Sequence, residues 1–173
     1  MKRLLMALVV LAVVLVPGSV RAGDAPGCEG LEQFRADIMP IGEKWADDLK
    51  ALGVSDLDWD PLTMSSDDWQ DYADIALSAN RELKGIDTPD WAADWMAVQL
   101  DTTALQEQIG KAAAAGGSLA IIAFSSSIDT INQRDDESRK TTIAHCAEFA
   151  QFVYDWDALD GQIDGTPVPT PAR

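Results

Sequence analysis

The spacing of apolar residues constrains the fold of this chain more than any other feature of its sequence. Residues 31–52, 66–85, 88–117 and 118–158 place apolar side chains three or four positions apart, which is the period of one helix face. The most regular stripe consists of Trp91, Trp95, Val98, Thr102, Leu105, Ile109 and Ala112. Strand signals are nearly absent, because no sustained alternation and no Asn-Gly hairpin occurs. The pattern therefore predicts an all-α fold.

Helix start and stop signals divide these stripes into an antiparallel bundle of four or five helices. Residues 65–68, Ser-Ser-Asp-Asp, and residues 88–90, Thr-Pro-Asp, are typical of capped helix starts. The glycine pair at 116–117 indicates a helix end. Short connections between segments imply antiparallel neighbours. The sequence leaves open whether 118–158 forms one helix or two, because the polar segment 133–140 interrupts its stripe.

The first 22 residues predict a secretory signal peptide. Lys2 and Arg3 precede an unbroken apolar run of thirteen residues, 4–16, and Ala22 lies at a small-residue cleavage position. A bilayer span needs about 20 apolar residues, so the run is short for a retained anchor, which is the alternative. We expect residues 1–22 to be removed, leaving a secreted or periplasmic protein without a membrane span.

The mature chain is expected to contain one helical bundle domain, residues 23–163, and a C-terminal tail, residues 164–173. Pro167, Pro169 and Pro171 lie in this tail. Proline at alternate positions favours an extended backbone without internal hydrogen bonds. We therefore expect the tail to be disordered.

The two cysteines, Cys28 and Cys146, predict a single disulfide. An even number of cysteines in an oxidising compartment is read most simply as paired. The two residues are 118 positions apart, and closing such a loop stabilises the fold by about 4 to 5 kcal/mol in the chain-entropy model. A redox or metal-binding role is the alternative, but it lacks the C-x-x-C spacing. The bond would fasten the start of the first helix to the last one.

An excess of acidic residues dominates the surface chemistry. The chain has 29 Asp and Glu against 13 Lys and Arg, a net charge of −16, and removal of residues 1–22 would take it to −19 because only basic residues are lost. Such a surface repels the phosphates of nucleic acids and anionic lipids. We therefore expect no nucleic-acid partner, and instead an unidentified protein or a small cationic ligand.

Asp56, Asp58 and Asp60 are the one specific candidate for a metal site. Alternate carboxylates open a calcium-binding loop, because turning the chain around one ion brings them inward. The match then fails, since Pro61 replaces the glycine of position six and Asp67 replaces the glutamate of position twelve. The segment is either a weak Ca²⁺ site or a solvated acidic loop before a capped helix, and no other cofactor is expected.

Trp91, Trp95 and Trp69 are the candidate ligand-binding residues. Trp91 and Trp95 lie one helical turn apart, and Trp69 or Trp45 could join them in a cleft between helices. At helical spacing, however, large aromatic rings usually fill the core. Half-exposed rings beside an acidic rim would indicate a pocket for a cationic or sugar-like ligand, whereas fully buried rings would indicate core.

Arrangements typical of catalysis are missing from the sequence. The single histidine, His145, has no C-x-x-C-H attachment motif, so haem ligation together with Met39 rests on fold analogy alone. No G-x-S-x-G motif and no glycine-rich phosphate loop occurs. The carboxylate pairs at 67/71 and 90/94 lie in first helical turns, where acidic residues favour the helix dipole without any catalysis.

These observations favour a secreted, acidic, non-enzymatic helical protein that acts by binding or interaction. A rival hypothesis is a protein that binds a cation or a small ligand through the loop 56–60 or a tryptophan-lined interhelical cleft. A weaker one is a carboxylate-based hydrolase.

Overall fold

Five α-helices account for most of the structure. The computed structural model describes residues 27–54 and 60–164, and no β-strand occurs among them, which confirms the predicted all-α fold. The helices are α1 (Leu31–Ala51), α2 (Ser66–Leu83), α3 (Ala93–Gly116), α4 (Ser125–His145) and α5 (Phe149–Asp164). Short 3-10 helical turns at Pro61–Thr63, Asp90–Ala92 and Ser118–Phe124 precede α2, α3 and α4.

Three of the sequence predictions fall on residues outside this description. They are the signal peptide at 1–22, most of the tail at 164–173, and the candidate metal ligands Asp56 and Asp58. These stay predictions.

Local sequence signals account for where the helices begin and end. Before α2, Ser65 Oγ accepts a hydrogen bond from the Asp68 backbone N–H, and Asp68 Oδ2 accepts one from the Ser65 backbone N–H at 2.8 Å, which completes a capping box. After α1 and α3 the chain passes through Gly53 and Gly117, whose φ angles of 81° and 82° favour glycine. The predicted start of α2 and end of α3 are confirmed.

The polar segment 133–140 lies inside α4, so the chain after residue 118 forms two main helices rather than one. α4 stops where Cys146 adopts an extended backbone with φ −127° and ψ 96°. Among the residues of α4, only Ser138 and Thr142 are buried. A largely exposed helix accommodates polar residues on most of its surface, which explains why the apolar stripe fades without the helix ending.

Successive helices run antiparallel. Ser66 Oγ at the start of α2 donates a hydrogen bond of 2.6 Å to the carbonyl oxygen of Ala114 at the end of α3. Asn80, near the end of α2, donates one of 2.8 Å to the carbonyl oxygen of Leu100 near the start of α3. Ion pairs join the other successive helices, through Lys44–Glu82, Arg134–Asp101 and Arg139–Asp157. The most extensive helix interface is the one between α2 and α3.

The first and last helices run parallel, because five alternating directions bring α1 and α5 together pointing the same way. Phe34 lies against Phe152 near their starts, with ring centroids 5.8 Å apart, and Arg35 forms an ion pair with Asp155. The predicted disulfide between Cys28 and Cys146 is present and joins the segments that precede the two helices. It therefore closes the bundle at this end.

Two separate groups of buried apolar side chains stabilise the bundle. The disulfide-end core consists of Cys28, Leu31, Phe34, Ile38, Leu83, Ala92, Trp95, Met96, Cys146, Phe149, Phe152 and Val153. The far-end core consists of Trp69, Ile109 and Ala113, with the partly buried Met64, Tyr72, Leu105, Ala114, Ile121, Phe124 and Ile128 packed against them. Each fully buried large side chain contributes about 1.5–3 kcal/mol. Most of the hydrophobic stabilisation therefore comes from the disulfide end.

None of the helices within residues 27–54 and 60–164 is both long enough and apolar enough to cross a membrane.

Candidate functional site

A cavity lies near the middle of the bundle, and all five helices contribute to its lining. Its volume is about 180 Å³. One lining residue from each helix, in chain order, is Trp45, Ala79, Gln106, Arg139 and Trp156. An apolar protein cavity of about 150 Å³ holds one benzene molecule, so this space is of the size of a single ring.

The aromatic wall of the cavity depends on a glycine in α1. A Cβ atom on Gly42 would lie 2.7 Å from Cζ3 of Trp156 and 2.9 Å from Cδ1 of Leu159, which is closer than carbon atoms approach. Trp156 also packs against Trp95, whose ring lies edge-on to it with the ring centroids 5.6 Å apart. Trp45 and Trp156 are both half-buried. Trp156 therefore has a fixed position, and both indoles offer accessible apolar surface.

Three charged side chains form the polar wall. Arg139 Nε donates a hydrogen bond of 2.5 Å to Asp135 Oδ2, one helical turn away. Arg139 Nη1 donates to both carboxylate oxygens of Asp157 on α5, at 2.7 and 2.6 Å. We call Asp135, Arg139 and Asp157 the charge triad. It contains two carboxylates and one guanidinium, and its net charge is −1 when all three groups are ionised.

Burial pushes the pKa values of Asp135 and Arg139 in opposite directions. It raises the pKa of the Asp135 carboxyl above its ordinary value, because the attraction of Arg139 is weaker than the loss of solvent and the charge of Asp157 adds repulsion. Burial alone would lower the pKa of Arg139, but hydrogen bonding to Asp157 and the two carboxylate charges outweigh it and raise that pKa. Arg139 bridges both carboxylates, so one negative charge of the triad has no cationic partner.

Amide and hydroxyl groups of α3 complete the lining. Gln99 Nε2 donates a hydrogen bond of 3.0 Å to Asp135 Oδ1. The hydroxyls of Thr102 and Thr103 donate to backbone carbonyl oxygens of their own helix. Gln106 Oε1 is buried and accepts no hydrogen bond from the residues that the structure describes. A buried acceptor without a donor costs about 1–3 kcal/mol.

The three tryptophans named from the sequence are not brought together in this cavity. Trp95 is fully buried in the disulfide-end core. Trp91 packs on the same core, and its Nε1–H donates to the carbonyl oxygen of Glu29 at 2.9 Å. Trp69 lies in the far-end core and donates from Nε1 to Ser118 Oγ at 3.0 Å. The buried rings serve the core, and the tryptophans that line a cavity are Trp45 and Trp156 instead.

The one candidate calcium ligand that the structure describes has a local structural role. Asp60 Oδ1 accepts a hydrogen bond of 2.9 Å from the Leu62 backbone N–H and caps the 3-10 turn Pro61–Thr63. Within residues 27–54 and 60–164, no group of three or more His, Cys, Asp and Glu side chains is placed to hold a metal ion.

The remaining candidates for chemistry lie on the surface. His145 is exposed, and its Nδ1 lies 3.1 Å from the carbonyl oxygen of Thr141. Met39 packs against the disulfide-end core. The carboxylates at 67, 71, 90 and 94 are all exposed.

The charge triad was missed because its members come from two helices. A signal for half of it is present in the sequence, since Asp135 and Arg139 have the i,i+4 spacing of a helical ion pair. Many surface helices carry such pairs, however. Only the contact with Asp157, eighteen positions further along, distinguishes this pair as part of a cavity.

No protein-family model matches this chain, and no curated protein and no solved structure is detectably similar to it.

Proposed function

We propose that this protein binds a small organic molecule non-covalently in the five-helix cavity. The observation that carries the proposal is the convergence of two half-buried indoles and a charge triad on one ring-sized space. Apolar walls with a few convergent polar groups are what small-molecule sites in proteins have in common. A ligand that covered Trp45 and Trp156 would gain about 25 cal/mol for each Å² of apolar surface removed from water.

The hydrogen bonds that the polar groups of the lining already form favour ligand binding over catalysis. All four carboxylate oxygens of Asp135 and Asp157 accept hydrogen bonds from Arg139 or Gln99, which favours a fixed role over proton transfer. The two threonine hydroxyls are engaged with backbone carbonyl oxygens. The described part of the lining contains no His, Cys, Ser or Lys side chain. A non-enzymatic role is therefore the one we adopt.

We further propose that the protein acts outside the cytoplasm, as a secreted or periplasmic protein. The Cys28–Cys146 disulfide is compatible with an extracellular location, where such bonds persist. The predicted signal peptide at residues 1–22 points the same way.

The test of ligand binding uses benzyl alcohol, a neutral molecule with a single ring. We expect it to shift the indole N–H NMR signals of Trp45 and Trp156 and to leave that of Trp69 unchanged, because Trp69 lies in the far-end core. Ala79→Leu, which fills the cavity, should abolish the shifts, and a folded NMR spectrum would show that the variant is intact. Ser78→Leu adds the same side chain one position earlier on α2, outside the lining, and serves as the control. Shifts that survive Ala79→Leu would exclude the cavity as the binding site.

A second candidate function is self-association through the far end of the bundle. Leu62, Leu119 and Ile122 are 62%, 69% and 68% exposed, and the turns that carry them contact each other. No charged residue occurs between Lys111 and Asp129. The turn Ser118–Phe124 therefore adds apolar surface to a contact between two copies without adding charge, and Asp60 flanks it beside Leu62.

Sedimentation velocity tests this second candidate. We expect concentration-dependent association that Leu119→Ser removes, because that side chain would lie in the contact. A protein that stays monomeric up to about 1 mM would exclude an association of even millimolar strength.

A further inference from the structure

We infer that the ligand of the five-helix cavity is a small organic cation, namely a protonated amine carried by a single ring or an apolar group of that size. The inference rests on the proposed binding function and adds the charge and the donor chemistry of the ligand.

The charge balance of the lining is the first step. Among the described residues, the charged members of the lining are Asp135 and Arg139 on α4 and Asp157 on α5, and none comes from α1, α2 or α3. The single guanidinium is shared between two carboxylates, so one negative charge is left over in a partly buried space. An uncompensated charge is unfavourable where it loses part of its hydration. A ligand with one positive charge neutralises the cavity.

The state of Asp135 indicates which carboxylate carries this excess. Its pKa is raised because burial and the neighbouring Asp157 disfavour its charged form more than Arg139 favours it. A cation bound near Asp135 would act in the opposite direction and lower that pKa. Asp135 is therefore the group that gains most from a positive ligand.

The aromatic wall suits the same class of ligand. The face of an indole attracts an ammonium group, and tryptophan does so more strongly than the other aromatic residues. Trp45 and Trp156 both line the cavity, and Trp156 packs closely against the backbone at Gly42 and against the ring of Trp95. The two rings also offer apolar surface to the body of the ligand. An amine attached to a ring would be attracted to the indoles by its charge and would pack on them with its apolar body.

Gln106 lines the same cavity and would supply a directional contact once its amide turns toward the ligand. Its Oε1 atom is a buried acceptor, and no described residue donates a hydrogen bond to it. An ammonium N–H is a charge-assisted donor, which forms stronger hydrogen bonds than a neutral group does. A carboxylate ligand would instead bring a second acceptor toward Gln106 and a further negative charge toward the triad. A sugar would find few free donors, because the Thr102 and Thr103 hydroxyls already donate to backbone carbonyl oxygens.

Three probes of the same size test the inference on the full folded protein. They are benzylammonium, benzyl alcohol and benzoate, which differ mainly in charge. We expect benzylammonium to bind at least about tenfold more tightly than benzyl alcohol, because one opposite charge nearby is worth that much or more at a partly buried site. Benzoate should not bind measurably. Isothermal titration calorimetry gives the three affinities, and the Trp45 and Trp156 indole signals locate them.

Asp135→Asn provides the matched variant. It removes the excess charge and leaves the Arg139–Asp157 pair intact, so benzylammonium should bind about tenfold more weakly while benzyl alcohol changes by less than about twofold. Asp101→Asn is the control, since Asp101 is an exposed carboxylate of α3 that pairs with Arg134 outside the lining. It removes the same charge from the protein and should change neither affinity.

The outcomes separate this inference from the proposed function. If benzyl alcohol binds at the cavity as tightly as benzylammonium, or benzoate binds best, the cavity is a ligand site and the inferred cation is wrong. If Asp135→Asn and Asp101→Asn weaken benzylammonium equally, the attraction comes from the whole acidic surface and the inference also fails. If none of the three probes binds at millimolar concentration, both the proposed function and this inference are overturned.

Discussion

The two ends of the bundle are built in different ways. At the disulfide end, Trp95, Phe149 and Phe152 are no more than 1% exposed and contact one another edge-on or stacked, beside a covalent bond between the first and last helices. At the far end, Trp69 is the one fully buried aromatic ring among the described residues, and Leu119 and Ile122 are more than two-thirds exposed.

This difference implies that the two ends have unequal stability. Regions with few buried apolar contacts open locally at a lower free energy than the densely packed core does. We therefore expect the disulfide end to act as the fixed frame of the cavity and the far end to be the part that opens first.

The largest effect is expected from removing the disulfide. Replacing both Cys28 and Cys146 by serine frees a loop that spans 118 residues, which in the chain-entropy model lowers the free energy of unfolding by about 5 kcal/mol. Urea denaturation of the variant beside the oxidised protein gives the difference. Hydrogen exchange should show that protection falls most in α1 and α5. A loss below about 1 kcal/mol would mean that aromatic packing alone holds the two helices together.

The next largest effect on the free energy of unfolding is expected from removing one large side chain of the disulfide-end core, compared with one of the far-end core. Phe34 is 1% exposed and contacts Trp91, Trp95 and Phe152, so Phe34→Ala should cost about 3–5 kcal/mol of unfolding free energy. Ile128 is only partly buried in the far-end core, and Ile128→Ala should cost about 1 kcal/mol. Both values come from chemical denaturation at one temperature. Equal losses would contradict the inequality of the two ends.

The parts of the fold that could be predicted from the sequence are those with local causes. The capping box at Ser65 and Asp68, the glycine after α3 and the regular spacing of apolar residues act within a few positions, so one chain is enough to recognise them. The disulfide could be predicted because the chain has only two cysteines.

The faces of the helices were less predictable than their positions. In α3 the predicted stripe named Thr102 and Ala112, but the buried residues are Thr103 and Ala113. The reason is that α3 contacts both α2 and α4, so its buried surface extends around the helix beyond one stripe.

The cavity could not be predicted from one sequence because its parts have no common local pattern. Trp45, Arg139 and Trp156 come from three helices, and each is an ordinary residue of an amphipathic helix when it is considered alone. Their proximity follows from helix rotation and from the close approach at Gly42, which depend on the packing of the whole bundle.

A smaller effect is expected at Gly110, where α3 approaches α2 closely beside the far-end core. A Cβ atom on Gly110 would lie 2.9 Å from both the Ala73 nitrogen and the Trp69 carbonyl oxygen, and backbone atoms cannot move aside easily. Gly110→Ala should therefore cost about 1–3 kcal/mol, even though alanine favours the helix. Gly116→Ala is the matched control, because its nearest neighbour would be Ala120 Cβ at an ordinary 3.7 Å. Denaturation that ranks Gly116→Ala as the more harmful variant would show that α2 and α3 are not locked at Gly110.

The smallest effects concern two aspartates whose pKa values move in opposite directions. Asp68 is exposed at the far end, and hydrogen bonds from the backbone N–H and the hydroxyl of Ser65 hold its pKa below its ordinary value of 3.8. Its charged form therefore stabilises the fold above pH 3.8, and this contribution is lost as the pH falls through the lowered pKa. Asp135, in the cavity, has a pKa raised by burial above the same 3.8, so its contribution is complete below pH 3.8 and is lost as the pH rises through the raised pKa.

Denaturation at a series of pH values separates the two aspartates. Asp68→Asn should reduce the loss of stability on the acid side, and Asp135→Asn should reduce the loss as the pH rises from 3.8. NMR titration of the two carboxyl carbons gives the pKa values directly. If Asp135 titrates below Asp68, the triad is better solvated than its burial implies. The net charge of the triad would still be −1, but Asp135 would be ionised at little cost and would gain less from a cationic ligand.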